Sequence, residues 1–207
     1  MAISARRKYS PRLPRAERRE QLLDATLRLI SEHGYGGVSI EAVAREAEIA
    51  KSVVYEAFGN QRELEKALFE REQERVLAAI VAALPKPPLA GDPAEILAGS
   101  IRTLLEAVRE SPDTWRLVVL PADGTPPPLR DEVLRHRERL VDQIEPMVDW
   151  ATPDLGLEEL DSELAAHAIL ASCEDAVRLT LTHPRRFPPD RIAAFAANLV
   201  AAVGRPR

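Results

Sequence analysis

Apolar positions recur every three or four residues through most of the chain, the spacing of helices that bury one face. Between Glu17 and His33 they fall at Leu22, Ala25, Leu29 and Ile30, and Gly34 follows as a stop. Ser39 stands as N-cap to a second helix with Ile40, Val43, Ala44 and Ala47 at i, i+3, i+4 and i+7. Glu48, Ile49 and Ala50 separate it from a brief third helix, Lys51 to Phe58, in which Val54 and Phe58 share a face. Gly59 ends that segment. Asn60 with Glu63 makes a capping box for a fourth helix reaching Ala83, where PKPPLAGDP halts it. The spacing predicts further helices over Ala94 to Arg109, Trp115 to Leu120, Leu129 to about Trp150, Glu158 to Thr182 and Pro189 to Val203. PADGTPPP and HPRRFPP read as loops. The expectation is an all-α fold of about nine helices.

Composition supports that reading. Hydrophobic residues make up 45% of the 207, mostly Ala and Leu, while aromatics are only 4%, which favours helix over sheet. Cys173 is the single cysteine, so there is no disulfide framework, and no apolar run approaches a membrane span or a signal region. A cytoplasmic protein is expected.

The charge is divided unevenly. Arg6, Arg7, Lys8, Arg12, Arg15, Arg18 and Arg19 face only Glu17 within residues 1 to 19, a net +6, so the remainder carries -11 within the total of -5. A basic arm on an acidic body fits a polyanion partner for one end. A solvated tail with no partner fits the same composition. His33, His136, His167 and His183 have no metal-ligand spacing, and no phosphate loop or nucleophile elbow occurs, so neither an enzyme nor a metal or other cofactor is expected.

Helices two and three, joined by a three-residue turn and braced by helix one, describe a helix-turn-helix. The stretch RREQLLDATLRLISEHGYGGVSIEAVAREAEIAKSVVYEAFGNQREL resembles the N-terminal domain of the TetR family of transcriptional regulators. The likeness lies in Gly-Tyr after helix one, a Ser opening helix two, an Ile-x-x-Val-Ala core and Tyr-x-x-Phe closing the recognition helix. It covers about a quarter of the chain. The resemblance divides the chain into a basic arm over 1–15, a helix-turn-helix domain over 16–62, and a ligand-binding and dimerisation domain over 63–207.

It also implies individual roles. Tyr55 would offer its hydroxyl to a phosphate, although an amphipathic tyrosine also suits the rim of a small core. Ser39 would receive an anion together with its helix N-terminus, a role compatible with plain capping. Lys51 and Ser52 would reach bases or phosphates, and Val53 could pack on a thymine methyl. Three residues depart from the family pattern. Glu48 replaces a glycine of the turn, Ala50 removes a cap from helix three, and Gln61 replaces a lysine, keeping a donor but no charge. Glu56 either faces solvent or accepts from a cytosine amino group. These changes shift electrostatic weight to the arm, including Arg12, Arg15 and Arg18. Deleting residues 1 to 14 is expected to weaken DNA binding and flatten its salt dependence.

For the larger half, the resemblance implies a small-molecule pocket and a homodimer. Trp115, Val119, His136, Leu140, Met147 and Cys173 are the pocket candidates, although plain core packing is the ordinary reason for each of them to face inward. Ala165, Ala168, Ser172 and Ala176, small residues on a helix apolar nearly all round, are candidates for the dimer interface with Phe195 and Leu199 of the last helix. Asp175 and Arg178 would fix a polar group, or Glu174 and Arg178 would form a surface pair. The expected function is a ligand-responsive repressor that binds a near-palindromic double-stranded DNA operator and is released by a small apolar molecule. A corepressor-dependent regulator and a helical protein-interaction module are the alternatives.

Overall fold

The computed structural model describes residues 13–120 and 127–204, with side chains from 135 onward in the second stretch. Arg6, Arg7, Lys8 and Arg12 therefore lie outside the described residues, as does most of PADGTPPP. Among the described residues there are nine α-helices and no strand. The chain divides into two compact units, Met1–Leu68 and Phe69–Arg207, with the division inside the fourth helix.

The first unit holds α1 (Arg15–His33), a single 3-10 turn over Tyr35–Gly37, α2 (Ile40–Glu46), α3 (Lys51–Phe58) and the start of α4 (Gln61–Ala83). Its core is the stripe the spacing marks. Leu22, Ala25 and Leu29 of α1, Val43 of α2, and Val54 and Phe58 of α3 are all buried, and α1 packs on both α2 and α3. Ser39 caps α2, its Oγ accepting from the Ala42 amide at 3.0 Å. Asn60 Oδ1 accepts from the Glu63 amide at 3.0 Å, and the Asn60 side-chain amide donates to the Glu63 carboxylate at 2.7 Å, so the cap of α4 closes through side chains on both sides.

The second unit continues α4 from Phe69 and adds α5 (Pro93–Glu110), α6 (Pro112–Val119), α7 (Pro127–Leu155), α8 (Ser162–Thr182) and α9 (Pro189–Val203). α5 packs against α9 and α8, and α7 against α8. Val76, Leu105, Val108, Trp115, Val177 and Leu181 form one buried cluster, and Val141, Ala166 and Leu170 a second.

Several boundaries differ from those the spacing predicts; α6, for one, begins at Pro112 rather than Trp115. α7 begins at Pro127 and runs on to Leu155, through Pro146 and Pro153. Prolines in a first turn lack only amides that would have no helical partner. Pro153 is different, because its missing N–H would leave the Asp149 carbonyl without a donor. The Thr152 hydroxyl donates to that carbonyl at 3.2 Å, and the helix continues. α8 begins at Ser162 rather than Glu158, because Asp161 is the N-cap, accepting from the Leu164 amide at 3.0 Å.

Candidate nucleic-acid interface and cavity

The link from α2 to α3 is built by local bonds and braced from α1. The Ile49 amide donates to Ala44 O at 2.9 Å, the Gln21 side chain donates to Ala47 O at 3.2 Å, and Arg28 pairs with Glu46 at 2.8 Å. Glu48 adopts φ 55°, the left-handed conformation that the glycine it replaces would take freely. A side chain there costs on the order of 1 kcal/mol. Glu48→Gly is therefore expected to raise stability by up to about 1 kcal/mol, reduced in part by the looser unfolded chain, and a denaturation midpoint would register the gain.

α3 starts without a side-chain cap, since Ala50 can supply none. Its other end is anchored. The Arg19 guanidinium lies 4.1 Å from the Phe58 ring centroid and donates to Ala57 O at 2.5 Å. A cation at a helix C-terminus is also attracted by the negative end of the helix dipole. Arg19 is thus a brace for α3, a role that its place in a basic run does not reveal.

With Val54 and Phe58 inward, the opposite face of α3 is presented to solvent: Lys51, Ser52 and Glu56 are exposed, Tyr55 is 50% exposed, and Val53 is half-buried. The Lys51 ammonium donates to the Glu41 carboxylate, and that bond, foremost, holds the Glu41 carboxyl below its ordinary value. Lys51 must leave this partner to meet a phosphate. Arg15 is exposed, whereas Arg18 is half-buried and donates to Gln21 Oε1 at 2.5 Å. Gln61 departs from its expected role as a DNA donor. Its Nε2 donates to Val38 O at 2.9 Å and to Glu65 Oε1 at 2.7 Å, which uses both amide hydrogens.

In the second unit a cavity of about 1210 Å³ is walled mainly by apolar side chains. Trp115, Val119, His136, Leu140, Met147 and Cys173 all line it, as does Trp150, so both tryptophans of the chain face this space. Burial, reinforced by the neighbouring Glu174 carboxylate, pushes the Cys173 thiol up to about 11. The reactive thiolate is then scarce at neutral pH. Alkylation by iodoacetamide at pH 8 is expected to run about a hundredfold slower than for an exposed cysteine and to accelerate up to about pH 11.

The ion pairs around the cavity are not those that sequence spacing suggests. Arg137 of α7 pairs with Glu174, and Arg178 pairs with Asp175, so the Glu174–Arg178 pair does not form. Ala176 is also corrected. It is buried in the core cluster with Val177 and Leu181, which removes it from any interface surface. Ala168 and Ser172 are exposed, Ala165 is half-buried, and Phe195 and Leu199 are 66% and 53% exposed.

A buried ionic knot in the same unit has no counterpart among the sequence expectations. Glu72 is fully buried; its carboxylate accepts from the Thr114 hydroxyl at 2.6 Å and lies 2.6 Å from Arg71 and 3.2 Å from Arg75. Beside it Gln73, 5% exposed, has its amide nitrogen 3.0 Å from His136 Nδ1. Among the described residues, no group of three or more His, Cys, Asp or Glu is placed to hold a metal ion. No helix among them is long and apolar enough to cross a membrane.

Residues 22–68 match the family model for "Bacterial regulatory proteins, tetR family". The HTH-type transcriptional activator FasR of Mycolicibacterium smegmatis is 26% identical over 93% of this chain and 84% of its own. The HTH-type transcriptional repressor KstR of Rhodococcus jostii is 42% identical over 60 residues, 29% of this chain and 28% of its own. Among solved structures, a TetR-like transcriptional regulator from Rhodococcus sp. RHA1 matches with TM-score 0.67 and 28% identity, covering 93% of this chain and 96% of that one. The helix-turn-helix geometry and the family match that spans it agree: residues 22–68 form a helix-turn-helix of the TetR type, and the chain is similar along most of its length to transcriptional regulators.

Proposed function

We propose that this regulator is a ligand-responsive repressor that binds a near-palindromic operator as a homodimer. The observation that carries the reading is the two-sided α3, with Val54 and Phe58 buried and Tyr55 half-exposed beside exposed Lys51 and Ser52. Such a ridge can enter a major groove, with Ser39 and Tyr55 contacting phosphates and Lys51, Ser52 and Val53 nearest the bases. Arg15, Arg18 and the basic residues up to Arg12 would add backbone attraction. The exposed Phe195 and Leu199, with Ala165, Ala168 and Ser172, support pairing with a second copy. Two-fold pairing would set recognition helices about 34 to 36 Å apart, which calls for an inverted repeat.

In this reading residues 16–62 contact DNA and residues 63–207 bind the effector and the second copy. The apolar lining of the cavity supports a small apolar effector that fits best when the two DNA-reading helices are misaligned for successive grooves. A coupling of about 1 to 3 kcal/mol lowers operator affinity roughly 5- to 150-fold. Recovery of an inverted repeat when the full chain selects from random duplex DNA supports the proposal, and recovery of unrelated sequences counts against it. Activation is the second reading, favoured by the name of FasR, which is similar over most of the chain. A reporter placed behind the selected site decides the sign: its output falls with the protein for a repressor and rises for an activator.

A further inference from the structure

The cavity wall is unusual in how its polar groups are distributed. Its charged side chains form compensating couples, Arg137 with Glu174 and Asp175 with Arg178. An anionic head group would have to draw a guanidinium from its carboxylate and leave that carboxylate beside the ligand's own charge. A cation meets the same difficulty with the signs reversed. Neither charge finds an uncompensated partner among the Arg, Asp and Glu side chains of the described lining.

Apart from those couples, one polar contact bridges two helices in this mainly apolar wall. Gln73 of α4 and His136 of α7 both line the cavity and meet at 3.0 Å. Gln73 is almost wholly buried, so its amide is held in place by its surroundings. An amide carries two donors and an acceptor, and an imidazole adds one more nitrogen of either kind. The couple can therefore hydrogen-bond an oxygen that donates or accepts, by admitting it between them or beside them. The volume, about 1210 Å³, exceeds the roughly 300–1,000 Å³ of common small-molecule sites, which leaves room for a long apolar skeleton attached to that oxygen.

We infer that Gln73 and His136 form the polar anchor of the effector cavity, and that its ligand class is an uncharged, elongated hydrophobe bearing a hydroxyl or carbonyl oxygen. This rests on the proposed reading of the cavity as an effector site and adds its chemical selectivity.

Both tryptophans line the cavity, so their fluorescence reports occupancy in the full chain. The probes are 1-decanol, decanoate, decyltrimethylammonium and the apolar 1-bromodecane, titrated against the unchanged protein, Gln73→Met and His136→Leu. The expected result is 1-decanol binding at least about tenfold tighter than either charged probe. Each variant is expected to lose about tenfold in 1-decanol affinity while holding 1-bromodecane unchanged. The two substitutions lie on different helices, so either alone can carry the test if the other unfolds the unit. Charged probes that bind as well as 1-decanol, or 1-decanol affinity unaltered in a folded variant, would overturn the anchor while leaving the effector cavity intact. No fluorescence response to any probe, 1-bromodecane included, would overturn the cavity reading and the anchor together.

Discussion

Phe58→Ala is expected to destabilise the N-terminal unit by about 3–5 kcal/mol, the usual cost of emptying a buried aromatic site. Phe58 is 3% exposed and sits at the C-terminal end of α3, where its ring also receives the Arg19 guanidinium at 4.1 Å. Its removal strips α3 of one of two core anchors and of the surface against which Arg19 stacks. Because a domain's whole stability is commonly about 5–15 kcal/mol, most of the margin disappears. Thermal unfolding followed by helical circular dichroism should show an early transition, and retention of duplex DNA should fall with it. Phe58→Leu keeps much of the volume and should lose markedly less. A melting curve that superimposes on that of the parent would show that α3 is not held from beneath as described.

Glu72→Ala carries a comparable expected cost, about 3–5 kcal/mol, in the other unit. The side chain is fully buried and its carboxylate serves Thr114, Arg71 and Arg75 together. Truncation takes the acceptor from a buried hydroxyl and the counter-charge from Arg71, whose side chain is 11% exposed, and leaves a cavity besides. Arg71→Met with Glu72→Met removes both charges while retaining volume, so the double variant should be more stable than Glu72→Ala. Chemical denaturation of the three proteins measures the difference. Equal midpoints for Glu72→Ala and the parent would mean that the ionic knot contributes nothing.

The helix-turn-helix was legible because its signals are local. Ser39 before an i, i+3, i+4 stripe, Gly59 after Phe58, and the Asn60–Glu63 cap each act within one turn of chain, and the structure forms each of them. Glu48 was legible as an anomaly, and its φ of 55° shows that this turn keeps the glycine conformation without the glycine. The inward placement of Trp115, Leu140 and Met147 also followed from spacing, since helix periodicity identifies the dry side of each helix.

What stayed hidden depends on chain segments far apart in sequence. Arg137 finds Glu174 only because α7 packs on α8, and Gln61 finds the Val38 carbonyl 23 residues back. Local spacing instead offered Glu174 with Arg178, and the family resemblance offered Gln61 as a donor toward DNA. Ala176 shows the limit of small-residue reasoning: an alanine that permits close helix approach serves the protein's own core as well as a partner's. Glu72 did leave a trace, because it lies four residues from both Leu68 and Val76 on the buried stripe of α4. A carboxylate on such a stripe signals a buried partner, although Thr114 could be identified only from the fold.

The most direct test of the DNA-reading ridge is a fluorescence anisotropy titration of a selected duplex with the parent protein and with Lys51→Ala/Tyr55→Ala. Both side chains are exposed, so the double variant should melt with the parent. Loss of two such contacts is expected to weaken binding about 10- to 100-fold at fixed salt. Parent-like affinity in the folded double variant would contradict the assignment of α3 as the surface that meets DNA.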